Sequence, residues 1–155
     1  MTTPNSDSSS VARCHLRFGW WTLLLFLTAG LALEAMHGFK VAAYLNVSNE
    51  TRRLMWTLAH AHGTLLGLVN LAFAFTAGRV PDWPSRPRGI ASACLRGATL
   101  LMPVGFFLGG VFLHGGDPGV GIILLPVGGV LLLIAVLLAA LGVKHFKPDR
   151  ASGPR

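Results

Sequence analysis

Four stretches of apolar residues, at about Phe18 to Met36, Leu54 to Ala77, Gly97 to Leu113 and Val120 to Val143, constrain this chain more than any other feature. A helix needs ~20 apolar residues to cross a hydrocarbon core ~30 Å thick, so the runs predict four membrane spans. No window between them has the length or polarity of a separate soluble domain. The third and fourth runs are joined by "HGGDPGVG", His114 to Gly121, a turn so short that these two helices must be antiparallel neighbours. The expected fold is an all-α integral membrane protein, a four-transmembrane-helix antiparallel bundle. Its domain covers residues 16–146 with spans at about 18–44, 51–77, 92–114 and 119–144, between a disordered cytoplasmic tail at 1–15 and a second tail at 147–155.

The net charge of +7 would suit nucleic acid, but the charges flank the apolar runs, which argues against a nucleic-acid partner. With four spans, the N-terminal tail, the middle loop and the C-terminal tail share one side. They carry Arg13, Arg17, Arg79, Arg86, Arg88, Arg96, Lys144, Lys147, Arg150 and Arg155, against Lys40, Arg52 and Arg53 opposite. The positive-inside bias therefore places both termini in the cytoplasm of a plasma or inner membrane, with charge available to anionic lipid head groups. A secretory signal is a poor alternative for the first run, because Glu34 interrupts the region where a cleavage site would fall. Cys14 and Cys94 then lie on the reducing side, as small apolar fillers. Trp20, Trp21 and Trp56 fall near span ends, where indoles favour the interface, and Trp83 in "GRVPDWPSRPRG" is expected to dip back to the same level.

Finer features punctuate the spans. Ser48 or Asn49 is placed to cap the second helix, and Asn46-Val47-Ser48 and Asn49-Glu50-Thr51 match the glycosylation sequon, of consequence only in a eukaryotic secretory pathway. The pairs Gly63/Gly67 and Gly105/Gly109 put two glycines on one helix face, which lets backbones approach. Pro126 with Gly128 and Gly129 is expected to kink the fourth span. Asp117 reads as a turn residue.

Against this apolar background "LAHAHGTLLG", Leu58 to Gly67, carries two histidines two residues apart. The topology brings His37 to the outer end of the first span, His60 and His62 to the start of the second, and His114 to the outer end of the third. His60 and His62 lie 200° apart on the 100° step of a helix, flanking an arc of Ala59, Gly63, Gly67 and Asn70, so each reaches a different neighbour. Gly30, Glu34 and His37 share a stripe, and a Glu-x-x-His pair pointing inward is half of the pattern that holds iron or manganese. Met36 and Met55 at the same level are soft enough for copper. His15 and His145 are expected to be solvated or interfacial.

The segment "LAHAHGTLLGLVNLAF" resembles the histidine-bearing transmembrane helix of proteins related to the haem–copper oxidase catalytic subunit, where such a histidine is an axial haem ligand. The likeness covers one span of four, and the chain lacks that family's dozen spans and its copper-binding histidines. What it implies is a b-type haem as candidate cofactor, with His37 or His114 paired with His60.

The first functional expectation is a small redox or metal-binding membrane protein. His37, His60, His62 and His114 would bind the cofactor, with Glu34 as a further metal ligand, for b-type haem, copper or iron. The alternatives are an accessory or scaffold subunit whose histidines form a polar packing network, in a homo-oligomer or larger membrane complex, and a small transporter or proton relay. The scarcity of ionisable residues in the inner halves of the spans counts against the last. No nucleophile–base pair and no phosphate-binding glycine loop is present.

Overall fold

The computed structural model describes residues 4–45, 50–80 and 82–144. They form α1 (Pro4–Gly38), a single turn α2 (Ala42–Leu45), α3 (Glu50–Arg79), α4 (Ser85–Val111), and a 3-10 turn, Val120–Ile123, that runs into α5 (Leu124–Val143). Four segments, Asp7–Gly38, Glu50–Arg79, Ser85–Val111 and Val120–Val143, are long and apolar enough to cross a membrane. Among the described residues there is no strand, only an isolated bridge between His114 and Asp117. The cap residues Ser48 and Asn49, most of both sequons, and His145 lie outside the described residues.

Residues 4–15, expected as a disordered tail, instead begin α1. Tertiary contacts account for the difference. Ser8 and His15 are buried, and Val11 packs on a cluster of Phe73, Ala77, Val80, Trp83, Ala91, Leu95 and Ala135. The Asp7 carboxylate lies 3.9 Å from the buried Arg88 guanidinium, which also donates to the Trp83 carbonyl at 3.1 Å. At the other end α1 stops earlier than the expected 44, because Lys40 takes a left-handed φ of 52°. There the Val41 N–H closes back on the Met36 carbonyl at 3.0 Å, a C-terminal cap that ends the helix.

Glycines set how closely the helices approach. A Cβ on Gly30 would overlap the His60 ring, on Gly63 the Phe26 ring, on Gly67 Leu23, and on Gly19 Leu71. These pairs run in opposite directions along the two helices, so α1 and α3 are antiparallel and nearly touch backbone to backbone. The α4–α5 seam repeats the device, with Gly105 against Gly121 and Leu124, Gly97 against Leu131, and Gly128 against Met102. Helix α3 packs on α4 through Met55, Ala59 and Phe106. The order of neighbours is thus α1, α3, α4, α5, with slight contact between α1 and α4 and none, among the described residues, between α1 and α5.

We call the end where α1 begins the near end. Its cluster takes in Trp83, which is buried, 2% exposed, edge-on to Phe73 at 5.6 Å and seated over Gly142. At the far end Trp56 stacks between Tyr44 and Phe107 and donates to the Phe107 carbonyl at 3.3 Å. Arg52 Nε donates to the Gly110 carbonyl at 3.1 Å, supplying a partner to the otherwise orphaned C-terminal carbonyls of α4. The following turn pairs His114 and Asp117 backbone to backbone and needs left-handed φ at Gly115 (61°) and Gly116 (94°). Pro126 lies in the first turn of α5, just past the junction with the 3-10 turn, where a missing N–H is best tolerated.

Candidate functional site

The most tightly built polar feature is centred on a histidine expected to be solvated or interfacial. His15 on α1 is 0% exposed. Its Nδ1 lies 2.6 Å from Asn70 Oδ1 on α3, and its Nε2 lies 2.8 Å from Ser92 Oγ on α4. The Asn70 amide donates to the Leu66 carbonyl at 2.8 Å and to Thr99 Oγ1 at 2.9 Å, and the Thr99 hydroxyl donates to the Leu95 carbonyl at 2.7 Å. These partners settle the direction of each bond. Asn70 Oδ1 can only accept, so His15 Nδ1 donates to it. Nε2 of the neutral ring then accepts from Ser92. Every polar atom in the chain of bonds has a partner without a net charge, the condition under which burial of such groups is tolerated.

A signal for this node was present. His15, Gly19, Thr22 and Leu23, Phe26 and Gly30 recur at steps of three and four residues, so the buried stripe of α1 extends backward from the apolar run to His15. Ser92 and Thr99, seven apart, share one face of α4. The cut at residue 16 removed the histidine from that stripe.

The expected outer constellation is distributed differently. The arc of Ala59, Gly63, Gly67 and Asn70 is buried, and the two histidines beside it turn to different helices. His60 Nδ1 donates to the Phe26 carbonyl of α1 at 2.7 Å, and its ring lies against Gly30. His62 Nδ1 donates to the Leu58 carbonyl of its own helix at 2.9 Å, and its ring tilts against Phe106 of α4 at 4.7 Å. Glu34 and His37 are exposed and do not point inward. Beyond Gly30 the covered side of α1 follows Leu33 and Met36, three residues apart, and leaves the Glu34/His37 stripe outside. His60 stands level with Gly30, seven residues and so about 10 Å short of His37 along α1. The His114 side chain is exposed at the turn. Arg53 pairs with Glu50 of its own helix, at 3.9 Å. Among the described residues no three His, Cys, Asp or Glu side chains stand together as a metal-binding group.

Where α1 and α4 diverge over α3, an open crevice of about 450 Å³ remains. Leu25, Ala29 and Met36 line it from α1, Ala59 and His60 form its floor, and Pro103 and Phe107 close the α4 side. His60 is its only titratable lining group. The volume falls within the ~300–1,000 Å³ of small-molecule sites, and an apolar wall with a single polar group is their usual make-up. No family model, no curated protein and no solved structure matches the chain.

Proposed function

We propose that this chain is a small integral membrane protein, threaded four times through a plasma or inner membrane with both termini in the cytoplasm, that holds a lipophilic molecule in the crevice between α1 and α4. The crevice itself carries this reading: it opens sideways from the bundle, toward the acyl chains, and offers an incoming molecule one imidazole among apolar walls. A lipophilic ligand would reach it from the bilayer without crossing water.

A second reading makes that molecule a b-type haem that His60 would hold, and the His60 hydrogen bond favours it. Because Nδ1–H is spent on the Phe26 carbonyl, Nε2 keeps its lone pair, which is the orientation that metal-ligating imidazoles adopt through a backbone acceptor. Bound haem would supply one-electron chemistry. His60 would hold it, and the neighbouring apolar residues would exclude water from it.

Purification of the full chain in mild detergent, followed by an absorption spectrum, metal analysis and mass spectrometry of an organic extract, tests both. The first reading expects a lipophilic species near one per chain, depleted by Ala29→Phe. The second expects a Soret band that His60→Ala removes. A chain that yields neither, and takes up neither from added lipid or haem, overturns both and leaves the accessory-subunit role.

A further inference from the structure

We infer that the near end of the crevice recognises an anionic phospholipid, with Arg13, Arg17 and Arg96 on its head group. The inference builds on the crevice reading and names its ligand class. Arg13, Arg17 and Trp21 recur every four residues on one stripe of α1 and, with the neighbouring Phe18, line a surface groove of about 630 Å³. Arg96 of α4 reaches Cys14 of the same groove, its Nη1 donating to the Sγ at 3.9 Å. Three guanidinium groups therefore face one side of the molecule from two helices. Among the described residues none of the three forms an ion pair; the Asp7 carboxylate at this end is committed to Arg88. An uncompensated arginine cluster beside exposed aromatic rings, with Trp21 71% exposed, matches a phosphate head group lying over an interfacial indole.

The groove and the crevice follow one another along α1, from Trp21 of the one to Leu25 of the other, with no lining residue in common. Steps of three and four residues carry the Arg17/Trp21 stripe on to Leu25 and Ala29, and the Arg96 stripe of α4 runs through Leu100 to Val104 and Phe107. From Arg17 to Ala29 the helix rises ~18 Å, somewhat more than the ~15 Å half-thickness that one acyl chain covers. Cation at one end and apolar trench at the other reproduce the polarity of a single phospholipid. Free phosphate would match only the arginines, and a neutral lipid only the trench.

Tryptophan quenching by brominated-chain lipids in vesicles tests this with the full chain. Wild type is compared with Trp21→Phe to isolate the Trp21 signal, using brominated phosphatidylglycerol against brominated phosphatidylcholine at equal mole fraction. The expected result is preferential quenching by phosphatidylglycerol, weakened about fivefold for each arginine removed in Arg13→Gln, Arg17→Gln and Arg96→Gln, and kept by the corresponding lysine variants. Equal quenching by the two lipids in wild type, or a preference that survives the triple glutamine variant, overturns the inference. The crevice reading fails separately, if Ala29→Phe leaves chain occupancy unchanged while the arginine-dependent preference persists.

Discussion

The two ends of the bundle use histidine in opposite ways. At the near end one imidazole is sealed from solvent and spends both ring nitrogens on side chains from two other helices. At the far end four imidazoles occupy four settings: one against α1, one against α4, and two exposed. Proximity in topology therefore did not become convergence in space. A histidine forms a shared node when its neighbours bring complementary partners to it, as Asn70 and Ser92 do. Where a backbone carbonyl lies nearer, as for His60 and His62, the ring takes that instead.

The contrast is most exposed to failure at Asn70. Asn70→Leu strips His15 of its acceptor and Thr99 of its donor in one step, and is expected to lower stability by about 3 kcal/mol in a detergent unfolding titration. His15→Leu should cost somewhat less, about 2 kcal/mol, and the double variant little more than Asn70→Leu alone, since both act on one network. Additive losses would mean that the node is not a unit. Arg52→Ala, which withdraws the partner of the Gly110 carbonyl, should cost about 1 kcal/mol by the same titration. His60→Leu loses one interhelical bond, a contribution of about 0.6 kcal/mol on average in membrane bundles, and its clearer readout is the ligand content of the purified protein. His37→Ala and His114→Ala should leave the unfolding midpoint where it is. A shift in either, accompanied by loss of a bound metal, would restore the shared outer site.

Much of the fold was legible in the apolar runs themselves: four runs of the right length gave four long helices, and the Gly63/Gly67 and Gly105/Gly109 faces gave two seams. The start of α1 was not, since polar Ser and Asn at its head read as a tail, and only contact with Trp83, Arg88 and the Phe73 cluster makes it a helix. Rotation was the harder quantity. The arc from Ala59 to Asn70 was correctly placed by angle alone, whereas the Glu34/His37 stripe was assigned to the interior although Leu33 and Met36 take that side. An angle within one helix says which residues travel together. It does not say which of two adjacent stripes the neighbour will cover.

The order of neighbours has a consequence for how the molecule is put together. Because α1 leans on α3 and α5 on α4, the polypeptide is two helical hairpins joined along the α3–α4 interface. The first hairpin carries Asn70 and His15, and the second supplies Ser92 and Thr99 to close the circuit. The node thus works as a latch between the two halves, since neither hairpin alone holds all of its members.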